Sequence, residues 1–157
     1  QASRAGQLRR TVRVLWAGSE EIGGFGGEAY AKAHGNEPHA LAMESDFGAD
    51  RIWRVATHFA PADKALADRV AAALAPLGVV RGGGRAGGGS DVEQVIAAQH
   101  LAVIDLNQDG TRYFDLHHTP DDTLDKVDPA LLQQNVDCWA AVLKVVAEEA
   151  GPISAAP

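Results

Sequence analysis

The stretch Val12-Arg13-Val14-Leu15-Trp16-Ala17-Gly18-Ser19-Glu20-Glu21-Ile22-Gly23-Gly24 joins an apolar, β-favouring run to two adjacent carboxylates and a glycine-rich turn. The branched and aromatic residues predict a strand over residues 11–17, and a helical pattern after the turn predicts a helix over residues 26–34. Glu20 and Glu21 are therefore expected at the carboxyl end of a strand, which is the edge where open α/β sheets bind ligands. On this stretch alone, a solvated acidic turn is the simpler interpretation.

Strand and helix patterns alternate along the rest of the chain. Further strands are predicted over residues 40–46, 52–59, 79–80 and 100–106, and further helices over residues 61–77, 91–98 and 128–150. This alternation predicts a single domain, a three-layer α/β/α sandwich around a mainly parallel or mixed sheet. Residues 1–10 are polar and are interpreted as a linker or a helix end, and residues 107–123 as a polar loop. The last helix is expected to bury Leu131, Leu132, Val136, Trp139, Leu143 and Val146.

Composition excludes several classes of protein. The 157 residues carry 14 Lys and Arg against 21 Asp and Glu, so the net charge of −7 argues against a nucleic-acid partner. The sequence shows no apolar run long enough to span a bilayer and no signal peptide, so no membrane partner is expected. The single cysteine, Cys138, excludes an internal disulfide and is expected to be buried. The chain opens on Gln1, which is interpreted as the start of an internal or processed piece of a longer product.

Acidic and imidazole side chains follow three of the predicted strands. Glu20 and Glu21 follow the first predicted strand. Glu44 and Asp46 lie at the end of the second. His117 and His118 lie in the loop after the strand that ends at Leu106. Carboxylate and imidazole groups brought together from separate strand ends are the ligands of a zinc site with an open position. A glutamate beside such a site that does not bind the metal can accept a proton from water.

A glycine-rich loop supports a different hypothesis. Gly82-Gly83-Gly84-Arg85-Ala86-Gly87 matches G-x-G-x-x-G between a short strand and a helix, and Asp105 ends the next strand. This pattern would suit a nucleotide-binding module, although a run so rich in glycine also suits a flexible rim loop. A non-catalytic interaction domain on the same scaffold is a third alternative.

Four ordered motifs cover nearly the whole chain. They are Arg10-Thr11-Val12-Arg13-Val14-Leu15-Trp16 into Glu20-Glu21-Ile22-Gly23, then Met43-Glu44-Ser45-Asp46-Phe47-Gly48, then Gly88-Gly89-Ser90-Asp91, and then Tyr113-Phe114-Asp115-Leu116-His117-His118-Thr119-Pro120-Asp121-Asp122-Thr123. With these motifs the chain resembles the C-terminal half of the co-catalytic zinc exopeptidases, the aminopeptidase and glutamate-carboxypeptidase group.

The resemblance implies a role for four residues. Glu20 would be the general base, Glu21 and His118 would bind one zinc ion, and Asp46 would bind a second. His118 rather than His117 fits the family pattern of His, Thr or Ser, two variable positions, an acid and Thr. The implied substrates are peptides or dipeptides, the implied cofactor is a pair of zinc ions, and the implied location is secreted or periplasmic.

One family motif does not occur in this chain. The family carries a His-x-Asp motif upstream of the paired glutamates, and no histidine or aspartate precedes Val12. Residues 1–157 are therefore expected to be the C-terminal part of a catalytic domain, with three of five metal ligands. We expect this chain alone to bind at most one zinc, loosely, and to be inactive. It would require the N-terminal part of the same domain, or a second copy, as a partner.

Overall fold

The computed structural model describes residues 8–157. In chain order, the helices and strands of this part of the chain are α1 (Phe25–His34), β1 (Leu41–Ala42), β2 (Ile52–His58), α2 (Lys64–Leu74), β3 (Val80–Arg81), α3 (Glu93–Gln99), β4 (Ala102–Gln108), α4 (Tyr113–Leu116) and α5 (Pro129–Glu148). Short 3-10 turns cover Pro61–Asp63, Ala75–Leu77 and Leu124–Lys126. Most of the polar segment predicted over residues 1–10 lies outside the described residues.

The four strands form a mixed sheet in the order β1-β4-β2-β3. The β1–β4 and β2–β3 pairs are parallel, and the central β2–β4 pair is antiparallel. On one face, α2 and α5 enclose the larger core. On the other, α1 and α3 pack together over a smaller cluster that includes Val95 and Leu101. The prediction of an α/β fold with a mixed sheet is confirmed.

A β-bulge interrupts the central strand pair. Ile52 pairs with Gln108, and Arg54 pairs with the next residue along, Asn107, so that Trp53 is an extra residue on β2. A bulge of this kind places two successive residues opposite one and redirects their side chains. The Arg54 guanidinium lies over the Trp53 ring, 5.1 Å from its centroid.

The prediction of a first strand over residues 11–17 is wrong. This segment has no regular secondary structure, and the side chains of Val14 and Trp16 are 72% and 90% exposed. A strand requires a hydrogen-bonded neighbour, and β1, which is two residues long instead of the seven predicted, pairs with β4 alone. Arg13 holds the segment to the end of α1 instead, by donating to Glu37 at 2.6 Å.

The buried face of α5 also differs from the prediction. Leu132 and Val136 are 45% and 53% exposed, whereas Asn135 is buried. The Asn135 amide donates to the carbonyl of Asp50 at 2.9 Å and accepts from Gln108 at 3.2 Å. An asparagine can be buried when its amide is paired, so Asn135 lies on the buried face of α5 beside apolar residues such as Cys138.

Two smaller predictions have different outcomes. Cys138 is fully buried on α5, as expected, and burial raises the pKa of its thiol to about 11. The predicted polar loop over residues 107–123 instead contains the last residues of β4 and the short helix α4. Across residues 8–157, every helix is either too short or too polar to span a lipid bilayer.

Candidate metal centre

The Glu20-Glu21 turn is held by main-chain hydrogen bonds. The amides of Gly23 and Gly24 both donate to the carbonyl of Glu20, at 3.0 and 2.9 Å. Ser19, directly before the two acids, has a left-handed backbone with φ of 65°. Such a conformation is costly for a residue other than glycine, and strain of this kind is concentrated at functional sites. The turn therefore presents both carboxylates from a tightly constrained backbone.

Glu21 and His118 are in direct contact although 97 positions separate them in the chain. Nε2 of His118 lies 2.8 Å from Oε1 of Glu21, and both side chains are more than half exposed. His118 also has a left-handed backbone, with φ of 59°. The two side chains that the family resemblance implies as ligands of one zinc ion thus meet at the surface.

A stack of rings connects the Asp46 loop to His118. Phe47, the residue after Asp46, stacks on Tyr113 with ring centroids 3.8 Å apart. Tyr113 stacks on His117 at 4.6 Å, and His117 stacks on His118 at 3.6 Å. These contacts fix the orientation of the His118 loop relative to the loop that carries Asp46.

The predicted site residues lie in a region of negative charge. Burial raises the pKa of Asp91, and the nearby carboxylates of Glu20 and Asp46 raise it further. One carboxylate oxygen of Asp91, Oδ1, is buried without a hydrogen-bond partner among the described residues. Burial also raises the pKa of Tyr113, and the carboxylates of Asp46, Glu21, Asp122 and Glu20 raise it further. The negative charge of these carboxylates thus reaches Asp91 and Tyr113, and a bound cation would offset it.

Glu44 forms a hydrogen bond to the segment that carries Asp91. Its Oε2 accepts a hydrogen bond from the Asp91 amide at 2.8 Å. A β-carbon at Gly89 would overlap the Glu44 carboxylate, so only glycine allows this close approach. Burial raises the pKa of Glu44, with further contributions from Asp91 and Asp46. Glu44 thus braces the segment that contains Gly89 and Asp91.

The structure does not assemble a complete metal site. Within residues 8–157, no group of three or more His, Cys, Asp or Glu side chains is close enough to hold a metal ion. Glu21 and His118 supply a carboxylate and an imidazole, which suit zinc, but Asp46 does not complete their set. The residues present therefore fit half of a site for one ion.

The glycine loop does not have the geometry of a phosphate cradle. The amides of Gly87 and Gly88 donate to the carboxylate of Asp105, at 2.8 and 3.0 Å. A phosphate cradle needs such amides free to bind an anion, and here a carboxylate of the chain already accepts from them. The loop instead forms part of the wall of a pocket.

That pocket, of about 580 Å³, joins the Asp46 loop to the bulge in β2. Its lining includes Glu44, Asp46, Trp53, Arg54, Gly87, Gly88, Gly89, Ser90, Asp105 and Asn107. Its volume is typical of small-molecule sites. Periodicity in the sequence does not identify Arg54 and Trp53, because strict alternation along β2 would place them on opposite faces of the sheet, and the bulge that brings them together leaves no clear sequence signal.

Comparison with known proteins agrees with the motifs. The model of peptidase family M28 matches residues 1–143. Carboxypeptidase Q of Bos taurus is 32% identical over 145 residues, and that of Mus musculus is 34% identical, each match covering 89% of this chain and 30% of the relative. A crystal structure of a peptidase M28 precursor from Shewanella amazonensis superposes with a TM-score of 0.83 at 40% identity, over 90% of this chain and 32% of that one.

The chain combines an α/β fold with a constrained carboxylate turn and a Glu–His contact between separate loops. The family match is specific: this chain belongs to peptidase family M28. It spans about a third of the length of the relatives that it matches.

Proposed function

We propose that this chain is part of a zinc-dependent exopeptidase that removes terminal residues from peptides or dipeptides. The observation that carries the proposal is the contact between Glu21 and His118, in a chain of the M28 family. Bound zinc would polarise the scissile carbonyl and make water more acidic. Glu21, His118 and Asp46 are the proposed ligands in this chain.

Glu20 is the proposed general base. It precedes a proposed ligand by one residue, and its main-chain carbonyl is fixed by two amides of the turn. The oxygen of water forms a bond to the carbonyl carbon, and the carbon–nitrogen bond of the peptide breaks. Glu20 accepts the proton from water and delivers it to the leaving amine, so the carboxylate is regenerated.

A second His–Glu contact in this chain shows why the proposal concerns Glu21. Nδ1 of His34 lies 2.7 Å from Oε1 of Glu37, so contact geometry alone does not distinguish the two pairs. Glu37, however, is also paired with Arg13, and the hydrogen bonds from His34 and Arg13 lower its pKa to about 2. A cation is therefore already present at Glu37. Among the described residues, no Arg or Lys forms an ion pair with Glu21, whose partner is His118.

The metal half of the proposal can be tested on the 157-residue chain. Zinc added in an NMR titration should shift the imidazole signals of His118 at no more than one equivalent. His118→Ala should abolish the shifts, and His34→Ala, the matched control, should leave zinc binding unchanged. Zinc binding that survives His118→Ala would contradict the ligand assignment.

The catalytic half requires the complete enzyme. There Glu20→Gln should abolish turnover while zinc content, measured after dialysis, stays the same. Retained peptidase activity would contradict the role of Glu20. We expect the 157-residue chain alone to have no peptidase activity, since catalytic zinc sites normally have three protein ligands. Two tightly held zinc ions in this chain, or turnover by it, would refute that expectation.

We further propose that a partner surface covers the segment over residues 11–17. The exposed apolar side chains of this segment, of the following turn and of the start of α1 support this proposal; they are Val14, Trp16, Ile22 and Phe25. The difference in length from the relatives supports it too. The partner would be the N-terminal part of the same domain or a second copy of this chain. Sedimentation of wild type and Trp16→Ser would test the second copy. The resemblance to exported peptidases also leads us to propose a secreted or periplasmic location.

A further inference from the structure

The pocket beside Asp46 contains an arginine without an acidic partner. Arg54 is the single cationic side chain among the described residues that line the pocket, alongside the carboxylates of Glu44, Asp46 and Asp105. Among the described residues, no carboxylate forms an ion pair with Arg54, whereas Glu44 and Asp105 accept from main-chain amides. Its positive charge is thus available to a ligand.

The Arg54 side chain is held in place on three sides. Its Nε donates to Oδ1 of Asn107 at 3.0 Å. Its guanidinium lies over the Trp53 ring, which the bulge has brought beside it. A β-carbon at Gly82 would overlap the Arg54 stem, so the glycine backbone packs against the side chain. Neither terminal amino group has a hydrogen-bond partner among residues 8–157, and together they can donate a pair of parallel hydrogen bonds to a carboxylate.

We propose that Arg54 binds the free α-carboxylate of a peptide substrate. The inference rests on the proposed function, since it takes Asp46, which also lines this pocket, as a metal ligand. A planar guanidinium held by Asn107 and Trp53 binds a carboxylate with little loss of side-chain freedom. The surrounding acids repel any anion that Arg54 does not pair with, so the pocket selects a carboxyl terminus at this position.

The test uses the 157-residue chain with chelator present, so that it does not depend on zinc. Alanyl-alanine and its C-terminal amide are each titrated while the Trp53 and Arg54 side-chain NMR signals are followed. The free acid should bind about 10- to 100-fold more tightly than the amide, as expected for a hydrogen bond between charged groups. Equal affinity of acid and amide for the wild-type chain would overturn the inference, even if no variant folds.

Variants separate recognition from structural support. Arg54→Gln should remove the preference for the acid, and Arg54→Lys should restore part of it. Arg85→Gln, which removes an exposed positive charge that does not line the pocket, should leave the preference intact. A preference that survives Arg54→Gln would overturn the inference, as would inorganic phosphate binding as tightly as the dipeptide. Loss of zinc binding without loss of acid preference would instead count against the zinc-peptidase proposal alone.

Discussion

The side chain of Gln134 takes the place of a neighbouring strand at the start of β2. Its Oε1 accepts from the amide of Ile52 at 2.9 Å, and its Nε2 donates to the carbonyl of Ile52 at 2.7 Å. A third, longer hydrogen bond reaches the carbonyl of Leu77 at 3.3 Å. Ile52 is fully buried and directly precedes the bulge at Trp53. The two hydrogen bonds between Gln134 and Ile52 therefore hold the backbone just before Trp53 and Arg54 in position.

Gln134→Leu keeps a similar shape but leaves the amide and carbonyl of Ile52 unpaired. Each unpaired group costs about 1–3 kcal/mol, which gives about 4 kcal/mol for the two. The added apolar burial of leucine recovers about 1 kcal/mol. We therefore expect the free energy of unfolding to fall by about 3 kcal/mol, a large part of the stability of an ordinary domain.

The adjacent glutamine provides a matched control. Gln133 is exposed and donates to Asp137 one turn along α5, a contact worth about 0.2–0.5 kcal/mol. Both variants would be unfolded in urea at pH 7 and followed by far-UV circular dichroism. A difference between Gln134→Leu and Gln133→Leu below about 0.5 kcal/mol would refute the assignment of Gln134 as a strand substitute.

Three further predictions concern single side chains. Asp128 caps α5 by accepting from the Ala130 amide at 2.7 Å, so Asp128→Ala should lower the free energy of unfolding by about 1 kcal/mol in the same urea assay. The buried Cys138 thiol, whose pKa is about 11, should react with a thiol reagent only after unfolding, as followed by absorbance. Folding raises the pKa of Glu44, so protonation of Glu44 favours the folded chain. The free energy of unfolding of wild type should therefore rise relative to that of Glu44→Gln as the pH falls through the raised pKa of Glu44 toward the ordinary pKa of a glutamate. A difference between the two proteins that does not change with pH would contradict this prediction.

Local periodicity predicted the elements that bury their own side chains. The apolar run of β2 and the helical spacing of α2 and α5 predicted where these elements lie, because each buries apolar side chains against the core. The predicted alternation does not hold along β2, where the bulge leaves Val55 and Ala56 both buried. Residues 11–17 have an equally clear strand pattern, but strand formation also requires a neighbour, and no pattern within the segment specifies one. The exposed side of α5 was misjudged because a paired, buried Asn135 cannot be told from a surface asparagine by hydropathy.

The candidate site was predictable to the extent that it depends on motif spacing. The frame that begins at His118 selects the histidine that the structure places against Glu21, although His117 is its stacked neighbour. The pairing of Asp105 with the amides of Gly87 and Gly88 could not be read from the sequence, since a glycine-rich run leaves open whether its amides are free. Arg54 likewise depends on a bulge, which is a property of two paired strands.

Zinc and a peptide carboxylate should each favour binding of the other. Carboxylates near the proposed zinc ligands also repel an incoming anion. Arg54, the one cationic side chain among the described residues that line the pocket, attracts it. Zinc, if bound by the proposed ligands Glu21 and His118, would reduce the negative potential that a substrate carboxylate meets. By linkage, the substrate carboxylate must then strengthen zinc binding by the same factor. The carboxylates near the proposed metal site and the positive charge of Arg54 would then be balanced together, the first by zinc and the second by the substrate carboxylate.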